Sequence, residues 1–254
     1  MALNKHRVLL GLLGIAALIA VWWVVSGFGL VSSLFLPAPP VVLQAAYENA
    51  ASLASNLYIS LYRLVVGFTI GVVLGICAGI PVGAVKTLQR TALPVVDTIR
   101  SIPNLAWIPL ALVWFGIGDG SKFFVIALAV FFPVFTNAYV GIKNIDPVLI
   151  RASHNFDVPP TKMFYKVLLP AALGDIFVGL KVGLQSGIVA MVATEVVAST
   201  SGLGYVMDQA AAFFKSGSVI AVMAIIGILG YGLTQLMVRV EKRYARWHVG
   251  LREA

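Results

Sequence analysis

The chain has 254 residues, 60% of them hydrophobic and 11% charged, with a formal net charge of +8 and a mean hydropathy of +0.96. That balance leaves a water-soluble fold too little polar surface to cover its core, so the composition places the protein in a membrane. The basic residues form neither a long run nor a stripe with interleaved aromatics, which argues against nucleic acid as a partner, and the single cysteine, Cys77, excludes an intrachain disulfide or a cysteine-based metal cluster.

A bilayer core of about 30 Å needs roughly 20 apolar residues in a helix, and backbone groups there must be bonded internally, so helices are the expected spanning elements. The first runs over residues 8–26. It follows Lys5 and Arg7 as a signal peptide would, but carries Trp22-Trp23 where a cleavage region has small residues, and it reads as a retained helix. Residues 27–56 hold no Lys or Arg; "LPAPP" marks a turn or extended piece, and "VVLQAAYENAASLASNLYIS" is either a helix along the interface or a simple connector. Span two, 64–85, is fenced by Arg63 and Lys86, and its "GFTIGVVLGICAGIPVG" permits close helix contact. Span three, 101–118, contains Pro103 and Pro109, and span four, 123–142, contains Pro133. Proline frees carbonyls that neighbouring helices or water must satisfy, so these two helices are expected to face protein or a water path.

Residues 144–170 interrupt the apolar pattern. "DPVLIRASHNF" reads as a short helix started by Asp146 with Pro147 in its first turn; "DVPP" breaks it; "TKMFYKVLLP" starts a second helix, with Thr161 as the weaker cap, that returns to the membrane before Pro170. Span five, 176–198, contains Lys181 and Glu195. "TSGLGYVMDQAAAFF" is then a re-entrant or interfacial connection stapled by Gly202 and Gly204, and span six covers 216–238. The expected fold is all-α: a polytopic membrane protein with six transmembrane helices in a single domain over 1–254. Lys and Arg collect in the N-terminus, the loops after spans two and four and the C-terminus, whereas the alternate loops hold only Lys122 and Lys215, which sets both termini in the cytoplasm.

The chain has no Gly-x4-Gly-Lys-Ser/Thr phosphate loop; "GIGDGSK" has the wrong spacing. Energy for transport must therefore come from a partner or from a gradient. A hydrolase built on Ser201 with His154 and Asp157 is excluded, because the expected topology sets them at opposite faces roughly 30 Å apart, and no catalytic or metal-ligating residue is assigned. Glu195 costs on the order of 3 kcal/mol at a helix centre, so it needs a reason to be there. It pairs with Arg63, Arg100 or Lys181, or lines a path, or carries protons, the last being the mark of a gradient-driven secondary transporter. Arg63 and Arg100, near opposite membrane faces, either snorkel or attract an anion. Trp107, Asn137 and Gln185 either line the path or make ordinary helix contacts.

The 144–170 segment resembles the cytoplasmic EAA loop of ABC-importer permeases, in which Glu-Ala-Ala is followed after three residues by Gly and then by an Ile-x-Leu-Pro ending. Arg151-Ala152-Ser153, Asp157 and Val167-Leu168-Leu169-Pro170 fall on those positions. "SLYRLVVGF", "RSIPNLAWIPLALVWFGIG", "SKFFVIALAVFFPVFTN", "LPAALGDIFVGLKVGL" and "TEVVASTSGLGYVM" are similar, in order, to blocks of the nitrate/sulfonate/bicarbonate/taurine branch, from about residue 35 to 245. The resemblance implies the type I ABC importer permease fold and a non-enzymatic subunit in the bacterial inner membrane. Its implied partners are a second permease copy, two cytoplasmic ATPase subunits that bind ATP and Mg, and an extracytoplasmic binding protein that delivers a small anion such as a sulfonate, taurine, nitrate or bicarbonate. The coupling residues it implies are Arg151, Ala152, Ser153, His154, Asp157, Pro159 and Pro170. Arg151 stands where the family has an acidic residue. Asp157 stands where it has glycine, so the turn there cannot rely on glycine's positive φ.

Overall fold

The computed structural model describes residues 2–244; the side chains of residues 2–9, Leu12, His154 and Pro160 lie outside the described residues, as do Arg246 and Arg252 of the basic C-terminus. Helix α1 (Ala2–Gly27) is exposed at nearly every described position and meets the body chiefly through Trp22, whose Nε1 donates to the Pro37 carbonyl at 3.1 Å. Pro39 opens α2 (Pro39–Glu48), and Asn49 interrupts the chain before α3 (Ala50–Ala84). The stretch read as an interfacial helix or connector is thus divided, its second half forming the first turns of α3, which at 35 residues is about 52 Å long and exceeds the bilayer core.

After α4 (Lys86–Arg100) the chain turns through a 3₁₀ segment, Asn104–Trp107, into α5 (Ile108–Phe115). The expected third span is therefore a short apolar element, Asn104–Phe115. Pro103, with ψ 132°, precedes this element and Gly116 at φ 73° ends it, whereas Pro109 sits in the first turn of α5, where a missing amide is tolerated. Helix α6 (Asp119–Lys143) absorbs Pro133 without a break. Among the described residues, four helices are long and apolar enough to cross a membrane, Ala50–Ala84, Asp119–Lys143, Thr161–Ala198 and Ser216–Tyr244, while Leu13–Gly27 and Asn104–Phe115 are shorter apolar helices. Of the six expected spans, the second, fourth, fifth and sixth thus fall on the four long helices and the third is a short element, while the first falls on α1, where the side chains of residues 2–9 and Leu12 lie outside the described residues.

The core forms around α6, held between α3 and α9 (Leu169–Ala198). Gly67, Gly71, Gly75, Gly79 and Gly83 recur every four residues and lay one face of α3 on α6. A Cβ at Gly71 would stand 2.6 Å from the Ala127 carbonyl and 2.7 Å from the Val130 Cβ, so only glycine allows this approach. On an adjoining face of α6, which shares Val130 and Val134 with the first, a Cβ at Gly179 of α9 would meet the Asn137 Cβ at 2.7 Å. Lipid is as apolar as leucine, so what holds these helices together is close van der Waals contact, here among Leu64, Ile126, Val130, Val134, Leu184 and Met191.

The connection between α6 and α9 is α7 (Pro147–Asn155), α8 (Pro160–Met163) and a π-helical turn, Phe164–Leu168. Asp146 starts α7, its Oδ1 accepting the Val148 N–H at 2.8 Å. The helix ends in a Schellman motif, with the Val158 N–H bonded to the Ser153 carbonyl at 3.1 Å and Asp157 at φ 49°. The turn keeps the left-handed conformation without glycine, because the short side chain of Asp tolerates it better than most residues do. The second helix does not stop at Pro170 either: Thr161–Ala198 runs as one apolar helical stretch. The π turn lies immediately before Pro170, where the proline ring removes one amide from the ladder. Helix α10 (Leu203–Ala212) is the short connection expected between the last two long helices, and α11 (Ser216–Tyr244) closes the described chain.

Candidate functional site

A fully buried carboxylate organises one end of the bundle. Glu195, near the end of α9, has no exposed surface, and Arg63 of α3 is 4% exposed. Arg63 Nη1 donates to Glu195 Oε1 at 2.9 Å, and its Nε donates to Asp119 Oδ1, at the start of α6, at 2.8 Å. The remaining guanidinium donors reach the Ser201 carbonyl at 2.7 Å and the Ser201 hydroxyl at 2.9 Å. Ser60, one turn before Arg63, lies with its hydroxyl 2.8 Å from each Glu195 oxygen and accepts the Leu203 N–H at 2.8 Å. The Gly204 N–H donates to Glu195 Oε2 at 2.9 Å. Glu195 thus caps the N-terminus of α10, where the helix dipole favours a negative charge.

Two glycines permit that cap. Gly202 sits at φ 108°, and a side chain there would run into the Glu195 carboxylate; a Cβ at Gly204 would stand 2.6 Å from the Val192 carbonyl. The cluster therefore joins α3, α6, α9 and α10 through one arginine. Of the three partners open to Glu195 in the sequence, the structure selects Arg63. Lys181 instead pairs with Glu241 of α11 at 2.9 Å, and Arg100 pairs with Asp97 at 3.1 Å. Sequence reasoning missed Ser60, Asp119 and the α10 amides, which carry no signal beyond ordinary polarity. It also missed Lys122, buried beside the cluster and donating to the Gly118 carbonyl at 3.0 Å.

The other residues assigned to a path divide into two groups. Arg100 and Asn137 line a common cavity of about 350 Å³ with Asn104, Phe132, Thr136 and Val182. Thr136 lies 17 positions beyond Asp119 on the same helix, which separates this cavity from the Arg63 cluster by about 25 Å. Trp107 and Gln185 are not brought to it. Trp107 is half-buried, edge-on to Phe124 with ring centroids 6.5 Å apart, and its Nε1 is buried without a hydrogen-bond partner among the described residues. Gln185 is exposed on α9, one turn from Val182.

At the 144–170 segment, Arg151, Asn155, Asp157 and Pro159 are exposed, and Phe156 is 82% exposed. Ala152 is half-buried and Ser153 buried, its hydroxyl donating to the Leu149 carbonyl at 2.8 Å. Pro170 is half-buried at the start of α9, and the side chain of His154 lies outside the described residues. The segment thus has a half-buried to buried side at Ala152 and Ser153 and an exposed side that carries charge and an aromatic ring.

Residues 71–246 match the family described as binding-protein-dependent transport system inner membrane component. The chain is 35% identical over 251 residues to the taurine transport system permease protein TauC of Escherichia coli (strain K12), covering 96% of this chain and 91% of that one. It is 35% identical over 240 residues to SsuC of Bacillus subtilis (strain 168), named for aliphatic sulfonates transport, covering 93% and 87%. Among solved structures, it is similar to a chain of the MetNI methionine ABC transporter in inward-facing conformation, with a TM-score of 0.60 at 22% identity over 82% of this chain and 98% of that one.

Proposed function

The chain belongs to the binding-protein-dependent transport system inner membrane components, and from that premise we propose that it forms the translocation path of an ATP-driven importer for small sulfonates, taurine first among them. It is an ABC transporter permease subunit of the taurine and sulfonate type, a non-enzymatic membrane component with ATP hydrolysis in separate subunits. In the reading proposed here, two copies pair, the chain crosses the membrane six times with both termini in the cytoplasm, and two ATPase subunits carrying ATP and Mg grip the 144–170 knobs. An extracytoplasmic binding protein delivers the cargo to the opposite face.

The observation that carries this reading is the outward-facing α7, with Arg151 and Phe156 exposed on a stiff Schellman turn. Such a knob converts movement of a docked partner into movement of α9, to which it is joined by the Asp157 turn and the helical stretch that begins at Thr161. The test is affinity purification of the tagged chain from solubilised membranes, with residues 151–170 native or scrambled. An ATP-hydrolysing partner is expected with the native loop and lost with the scrambled one. Equal recovery of that partner with both would overturn the assignment of the knob.

A further inference from the structure

The cavity beside Arg100 has the chemistry of an oxyanion site. Its walls come from the junction of α4 with the 3₁₀ turn, from α6 around Pro133 and from α9 at Val182. Four polar residues line it, Arg100, Thr136, Asn104 and Asn137, and the Arg100 guanidinium meets the Thr136 hydroxyl there. Arg100 is loosely held. Its Nη1 reaches Thr136 Oγ1 at 3.3 Å and its Nη2 reaches Asp97 at 3.1 Å, with both charged side chains about half exposed, at 49% and 57%. An exposed pair of this kind is worth little, so a bound anion replaces it at small cost. By contrast, Arg63, Lys122 and Lys181 are each committed to protein partners.

A tetrahedral oxyanion offers three or four acceptor oxygens, and arginine presents a planar fork of weakly hydrated donors that matches two of them. The Asn137 amide is steadied by donating one hydrogen to the Pro133 carbonyl at 2.8 Å, which leaves its second hydrogen for a ligand. Phe132 and Val182 supply an apolar wall. At about 350 Å³ the space lies at the small end of ligand pockets, about 300–1,000 Å³. We propose that this cavity is an intramembrane station for the sulfonate group of the cargo, with Arg100, Thr136, Asn104 and Asn137 as its donors and Phe132 and Val182 as the wall for its carbon chain. The inference rests on the sulfonate-permease reading and adds to it a cargo-binding site within the permease itself.

The test measures binding of radiolabelled taurine to the permease–ATPase complex in nanodiscs, without binding protein, alongside taurine uptake by the complete transporter in proteoliposomes. Arg100→Gln is expected to weaken binding at least about tenfold, and Arg100→Lys, which keeps the charge but loses the fork, by a smaller factor. Asp97→Asn, which removes the competing carboxylate and keeps Arg100, is expected to tighten binding about twofold or more. Arg90→Gln, an exposed charge on the same helix outside the cavity, leaves binding unchanged. Binding by Arg100→Gln within twofold of wild type, an equal loss in Arg90→Gln, or weaker binding in Asp97→Asn would each overturn the station while leaving the sulfonate reading intact. A wild-type transporter that accumulates no taurine would overturn that reading and the station together.

Discussion

Glu195 is held by the Ser60 hydroxyl, the Arg63 guanidinium and the Gly204 amide at once, so its charge is matched at a site without solvent. Removing one partner of a buried ion pair strands the other, at a cost of about 3–5 kcal/mol. Arg63→Leu and Glu195→Leu are each expected to destabilise the purified protein by about that amount, read from unfolding in mixed micelles. The double variant is expected to cost less than the sum by about 1–3 kcal/mol. Strict additivity would show that the two side chains act separately. The need for a partner was legible from one carboxylate in an apolar run; the choice of Arg63 over Arg100 and Lys181 was not, because it depends on which helix ends meet. Lys181 shows the same limit, since its partner Glu241 lies among the basic residues that end α11.

At the scale of elements, α7 shows where a family pattern and backbone physics part. Its cap at Asp146 and its break before the two prolines were readable from residue type, but the left-handed turn at Asp157 was not, because the sequence lacks the glycine that advertises it. Holding a non-glycine residue there costs about 1–2 kcal/mol, partly offset by the greater freedom that glycine has in the unfolded chain. Asp157→Gly is therefore expected to steady the knob by up to about 1 kcal/mol, seen as limited proteolysis of α7 slowed up to about fivefold. Faster cleavage would mean that the Asp157 side chain itself holds the turn. The bounds of α3 and α9 escaped the sequence for a different reason. Charged residues mark where a helix leaves the apolar layer, whereas these helices continue beyond it, to Ala50 in one case and through Pro170 to Thr161 in the other.

For the whole molecule, hydropathy and the order of sequence blocks were enough to place an all-helical permease in the membrane. The glycine spacing that lets α3 close on α6 was visible as a motif without a known partner helix, whereas the α9 glycines that meet α6 were not singled out. The shortness of the third apolar element escaped the sequence reading because Pro103 and Gly116, not hydropathy, decide where that element begins and ends. The bundle that results has a neutralised charge cluster at one end and an arginine-lined cavity about 25 Å away towards the other. The most direct test of a sulfonate importer is accumulation of labelled taurine in proteoliposomes holding this chain, its co-purifying ATPase and the binding protein. ATP-dependent accumulation that stops when any one component is omitted is the predicted result. Uptake that continues without ATP or the ATPase and follows an imposed proton gradient would contradict it, and would make the chain a gradient-driven carrier.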